Sequence, residues 1–242
     1  MIASGIINGG RVPMPYVVES VSDSQGTTMY NASAHSLSNP IDKDTAHSAK
    51  ARIVMNYGTD FKSVKDKVSS EEWAARCELA ACYRLVDQYG MTDLIYNHIT
   101  SRIPGTEHLL INLYGLLYKE ITASSLVKID VEGNIISKPD TDYGINKSGY
   151  VIHGAIHTAR SDVKCVLHTH TRAGIAVSAM NCGLLPLSQT SIRFHGHIGY
   201  HEFEGPAIDL EERQRIVKDL GTHNALAMKN HGLLTCGPSV PE

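Results

Sequence analysis

Thirteen histidines in 242 residues make imidazole the compositional outlier of this chain, and their spacing is where chemistry would reside. His168 and His170 lie two apart at the end of the apolar run VKCVLHTHT. Residues two apart in a strand leave the same face, so both rings can converge on one ion. His231, in KNHGLLTCG, closes another apolar run and precedes a glycine that lets the backbone turn closely. Three imidazoles that leave a coordination position open form the pattern of catalytic zinc. The competing reading of any HxH is a pair of exposed or hydrogen-bonded core histidines. His153 and His157 offer a rival pair at i and i+4 of a helix, but Gly154 stands where an HExxH motif places its glutamate. The Val, Ile and Ala pattern around them predicts a helix face packed on a sheet, with both rings bonded to backbone carbonyls. His195, His197 and His201, in RFHGHIGYHEFEG, edge a loop or strand with no partner spacing.

The elements that must position these rings are readable in outline. Residues 1–62 are rich in Ser, Asn, Thr, Gly and Asp without a sustained apolar period, and are expected to be a flexible arm. The folded domain is expected over 63–242. Ser69 and Glu72 form a capping-box signature ahead of a helix whose stripe is read as Trp73, Cys77, Ala81, Leu85 and Tyr89, stopped at Gly90. Short strand-like runs follow in LIYNHITSRI, HLLINLYG and LVKIDVEGNIIS, with a tight hairpin turn at Glu132 and Gly133. A helix is predicted over 146–160, a buried strand before His168, a small-residue helix in RAGIAVSAM, and a helix capped by Asp209 and Glu212. NALAMKN and HGLLTCG read as a last strand or strand pair. Helices and strands alternate, hairpins are present, and no glycine-rich phosphate loop follows a strand. The expected fold is therefore α/β, a three-layer α/β/α domain with a mainly antiparallel or mixed central sheet.

Composition narrows the function classes. A formal charge of -3 with 19% charged residues gives no field for phosphate backbones, so no nucleic-acid partner is expected. No apolar run reaches the roughly 18 residues of a membrane span, and MIASGIINGGRVPMPY lacks the form of a signal peptide. No membrane association and a cytoplasmic address follow as expectations. Five cysteines without a CxxC read as reduced, mostly buried thiols.

From about Val68 to Leu234 the chain resembles the class II aldolase/adducin family, in its adducin-like or uncharacterised branch. The matching stretches, in the family's order, are ELAACYRLVDQYGMTDLIYNHITSRIPG, INLYGLLYKEITASSLVKIDVEGN, GYVIHGAIHTARSDVKCVLHTHTRAGIAVSA and KNHGLLTCG. The resemblance implies an α/β/α domain and a divalent metal, usually zinc, on His168, His170 and His231. Catalytic relatives use that ion to stabilise an enediolate during carbon–carbon cleavage, a Lewis-acid role. Alignment on His153 puts Gly149 where sugar-phosphate aldolases carry an acidic residue. Their phosphate-cradling pairs correspond to Tyr96-Asn97 and Tyr114-Gly115, and their paired serines to Lys147-Ser148. Substrate contacts are thus implied for Asn97, Gly115, Lys147 and Ser148, while glycine at 149 cannot serve as a base. The family's helix after the NHG strand is missing from the sequence, which stops at GPSVPE. Relatives commonly form cyclic tetramers with sites completed by a neighbour, so a homo-oligomer, a tetramer among the options, is implied, with His195, His201 and Glu202 as residues a neighbour would supply.

Three functions compete on these grounds. The first is a metal-dependent lyase-like enzyme acting on a small oxo- or hydroxy-acid by aldol-type cleavage or decarboxylation. Decarboxylation needs an electron sink more than a base and so better tolerates Gly149. Arg172 and Lys147 would hold a carboxylate, and Tyr150, Tyr143 and Glu120 are the proton-donor candidates. The second is a non-catalytic adducin-like module that binds other proteins, including cytoskeletal ones. The third, a metal-dependent hydrolase, needs a carboxylate to activate water, and none has a matched position.

Overall fold

The computed structural model describes residues 61–205 and 210–242, together with four short strands before them; the side chains of Ser148 and Leu210 are not described. The chain divides into two compact units, Met1–Gly58 and Thr59–Glu242. In the first unit, β1 (Val12–Pro13) pairs with β4 (Ser36–Leu37), and β2 (Ser20–Ser22) with β3 (Thr28–Asn31), both antiparallel. The rest of the expected arm lies outside the described residues, as does Asp209, the expected cap.

The second unit holds an eight-stranded sheet. Its strands are β5 (His98–Arg102), β6 (Leu109–Ile111), β7 (Val127–Ile129), β8 (Ile135–Ser137), β9 (Cys165–Thr169), β10 (Gly199–His201), β11 (Ala225–Met228) and β12 (Gly232–Gly237). They run in the order β10-β11-β12-β9-β5-β6-β7-β8. Only β10 and β11 pair in parallel, so the sheet is mixed and mainly antiparallel, as expected. Among the described residues five α-helices accompany it: α1 (Ser70–Gln88), α2 (Lys147–Ala159), α3 (Arg172–Ser178), α4 (Gln189–Ile192) and α5 (Leu210–Leu220).

Two buried clusters reflect strand alternation. Leu79 and Tyr83 of α1 pack with Ile99 of β5, Leu110 of β6 and Val127 of β7. Ile152 and Ile156 of α2 and Ile216 of α5 pack with Val166 of β9 and Leu234 of β12. Ser69 caps α1 as expected, accepting from the Glu72 amide at 3.1 Å. The helix turns a different face inward than the predicted stripe: Ala75, Leu79, Ala80, Tyr83 and Val86 are buried, whereas Leu85 and Tyr89 are exposed. The inner face carries Glu72 and Arg76, paired at 2.8 Å, with Lys128 of β7 also 2.8 Å from Glu72. Buried charges persist when paired in this way, and they disguise the core face as a polar one. Cysteine burial is also less complete than expected, since Cys77 and Cys182 are exposed.

Candidate metal centre

The register of three strands brings the histidines together. His168 is the fourth residue of β9, opposite Leu234 of β12 and His98 of β5. His170 follows directly after β9, and Thr171 then caps α3 by accepting from the Gly174 amide at 3.0 Å. His231 occupies the turn between β11 and β12, where Asn230 takes a left-handed φ of 56°. Gly232 is required by a close approach: a Cβ there would lie 2.4 Å from the Thr169 carbonyl oxygen. That contact explains the glycine of the NHG stretch.

His168 Nε2 lies 2.8 Å from His170 Nε2 and 3.3 Å from His231 Nε2. One ligand atom from each ring falls within 4.8 Å of the others. The opposite ring nitrogens fix two of the tautomers. His168 Nδ1 donates to the Leu233 carbonyl at 3.0 Å, and His170 Nδ1 faces Asp93 Oδ2 at 3.1 Å. With Nδ1 as the donor, each Nε2 turns a lone pair inward, the carboxylate–histidine arrangement of metal sites. Two lone pairs at 2.8 Å repel unless a cation lies between them, so the donor set fits a divalent ion, and three imidazoles suit zinc.

Burial disfavours the charged form of two of the rings. Desolvation and the neighbouring imidazoles hold His168 well below the ordinary histidine range, and bring His231 down to about 4. The His170 ring lowers the Asp93 carboxyl. Asp93 is itself placed by Asn97, whose Oδ1 accepts from the Asp93 amide at 2.6 Å.

Other expected site residues fall into two groups. Asn97 is buried beside Asp93, and its Nδ2 has no hydrogen-bond partner among the described residues. Lys147 is exposed in the first turn of α2, and Ser148 follows it. Gly115, at φ 112°, lies against Tyr143, whose ring would be 3.2 Å from a Cβ at that position. Tyr150 and Glu120 are engaged by backbone groups: the Tyr150 hydroxyl donates to the Val131 carbonyl at 2.8 Å, and Glu120 accepts from the Leu117 amide at 2.8 Å. Arg172 is exposed. His195 and Glu202 are exposed too, but His201 is buried and held by Asp219 at 2.8 Å within its own chain. That burial denies His201 the reach into a neighbouring subunit that the sequence suggested.

His153 and His157 stand apart from the triad. They are fully buried on α2, as packing predicted, yet their partners are side chains rather than backbone carbonyls. Thr100 Oγ1 is 2.9 Å from His153 Nδ1 and 2.9 Å from His157 Nε2, and His153 Nε2 is 3.0 Å from His98 Nδ1. Sequence reasoning missed Asp93 and His98. A carboxylate in the loop before a strand and a histidine opening that strand were the available signals, but both act only through cross-strand register.

Residues 77–242 match the Class II Aldolase and Adducin N-terminal domain, and the chain belongs to that family. A solved aldolase II superfamily protein from Pseudomonas syringae is 56% identical, with a TM-score of 0.72 over 74% of this chain and 72% of that one. An L-fuculose 1-phosphate aldolase from Glaciozyma antarctica is 28% identical, with a TM-score of 0.64 over 74% of this chain and 68% of that one. Alpha-adducin of Rattus norvegicus is 50% identical over 169 residues, 69% of this chain but 23% of its own length. No helix among the described residues is long and apolar enough to cross a membrane.

Proposed function

We propose that the chain is a metal-dependent lyase-like protein that acts on a small oxo- or hydroxy-acid by carbon–carbon cleavage or decarboxylation, with zinc as its ion. The observation that carries this reading is the convergence of three Nε2 atoms, two of them turned inward by hydrogen bonds at the opposite ring nitrogen. A divalent ion bound there would supply Lewis-acid polarisation of a carbonyl or hydroxyl oxygen. The chain's own residues orient the rest. Leu233 and Asp93 hold the rings of His168 and His170 in place. The unpartnered Asn97 Nδ2 is a donor for a substrate oxygen. Lys147 and Ser148, at the positive end of the α2 dipole, suit a carboxylate. Gly115 and Tyr143 form a second candidate edge of the substrate space. A cytoplasmic setting and a homo-oligomer, a tetramer on the family's pattern, belong to the same proposal.

The absence of a carboxylate at Gly149, together with the likeness to alpha-adducin, favours a second reading: a non-catalytic protein-binding module. Turnover separates the two. The enzyme reading expects zinc-loaded protein to consume at least one member of a panel of small oxo- and hydroxy-acids, and expects metal-stripped protein and His170→Ala to lose that activity. Inactivity across the panel with one zinc bound per chain would favour the module.

A further inference from the structure

Two cations face each other at the end of the sheet away from the triad. Ser101 of β5 pairs with Cys165 of β9, and the Arg102 amide continues that register by donating to the Lys164 carbonyl at 2.7 Å. Like charges directly opposite destabilise a strand pair, so this juxtaposition calls for a counter-charge. Arg102 and Lys164 both line a cavity of about 310 Å³, set between the β5–β6 turn, Val131 of the β7–β8 hairpin and the end of α2. Among the described residues Glu107 is the one carboxylate on its wall, since the neighbouring Asp162 is paired with Arg160 at 2.6 Å. His98, the partner of His168, opens the same strand that Arg102 closes, about 13 Å away at the rise of a strand. The cavity is therefore a separate place from the triad.

Neither cation is fully satisfied. The Arg102 side chain is 6% exposed, and its Nε has no hydrogen-bond partner among the described residues. Of five N–H groups the guanidinium uses two, one for Glu107 and one for the His157 carbonyl at 2.6 Å. Lys164 gives one of its three to the Ser161 carbonyl at 2.7 Å. These neutral carbonyls hold the end of α2 but balance neither charge. Glu107 is 84% exposed, so water competes for its carboxylate and the pair is weak. A buried charge with so little pairing is costly unless something else supplies the anion.

We infer that this cavity is an anion-binding site, in which a small organic oxyanion, a carboxylate or a phosphate ester, displaces Glu107 from the Arg102 guanidinium and takes Lys164 as its second cation. The planar fork of arginine matches either oxyanion, and the lysine adds a mobile point charge. Ile103, Pro104 and Val131 offer the organic body an apolar wall. Glu107 is then a tethered competitor that holds the guanidinium while no ligand is bound. The site uses no metal and does not depend on the function proposed above.

Amide proton–nitrogen spectra of the metal-stripped full chain, titrated with inorganic phosphate or acetate against sodium chloride at equal ionic strength, test the site. Saturable shifts are expected at the amides of Gly105, Glu107 and Lys164, with a millimolar Kd for such small probes. Phosphate binding more tightly than acetate would mark a phosphate ester as the ligand class, and the reverse order a carboxylate. Glu107→Gln removes the competitor and should tighten binding about threefold; Lys164→Ala should weaken it about fivefold. Both substitutions are at exposed positions, so the test does not require replacing the buried Arg102. The His168→Ala/His170→Ala protein should bind the anion as wild type does. The inference is overturned by equal shifts with chloride, by unchanged or weaker binding in Glu107→Gln, or by loss of binding in the histidine variant, which would move the anion to the triad.

Discussion

Replacing Asp93 with Asn isolates the part of the site that does not touch the ion. The carboxylate sits 3.1 Å from His170 Nδ1, fixing the ring and drawing its proton to the outer nitrogen. An amide is uncharged, and its NH2 turned toward the ring would favour a proton on Nε2, where the ligand lone pair is needed. Loss of such outer partners weakens metal binding by about 10- to 100-fold. Asp93 is 45% exposed, so solvent screens part of its charge and the lower end applies. The expected loss is about tenfold in zinc affinity, or about 1.4 kcal/mol. Competition titration against a chelator at pH 7.5 reads it. At free zinc 100 times the wild-type Kd, the variant should also lose about 1.3 kcal/mol of metal-linked stability. Metal-free melting should not change, because Asn97 bonds the backbone amide at 93 rather than the carboxylate. Equal zinc affinity in both proteins would refute the assignment of Asp93.

Two further outcomes follow from burial and close approach. Burial brings His98 and His157 down to about 3, below the ordinary unfolded value of about 6.5. The unfolded chain then binds more protons, so stability is full above pH 6.5 and falls as pH drops toward 3. The expected loss is roughly 2 kcal/mol per histidine by pH 5, read by urea unfolding in chelator, with about half that pair's loss removed in His157→Gln; a flat profile from pH 7.5 to 5 would contradict it. Gly232→Ala forces a methyl to 2.4 Å from the Thr169 carbonyl oxygen, so a destabilisation of about 1–3 kcal/mol and loss of zinc are expected, and wild-type melting with wild-type zinc content would show that β9 and β12 do not approach as described.

The histidine cluster was legible because its signals are local. Strand alternation puts His168 at the inward position, and the turn chemistry of Asn230 and Gly232 marks the place of His231. Ser69 and the glycine at 133 likewise announced a helix start and a hairpin. What the sequence hid depends on contacts between distant segments. Asp93 meets His170 across 77 positions, and His98 meets His168 only through the pairing of β5 with β9. The buried face of α1 was hidden for another reason: Glu72 and Arg76 pair inside, with Lys128 beside Glu72, so apolarity alone pointed to the wrong side of the helix.

Anomalous scattering at the zinc edge from crystals of the full chain tests the central claim most directly. The account predicts one peak per chain, about 2.0–2.1 Å from the Nε2 atoms of His168, His170 and His231, and none in the His168→Ala/His170→Ala protein. A peak on His153 and His157, or no peak from zinc-soaked crystals of the wild-type chain, would contradict it.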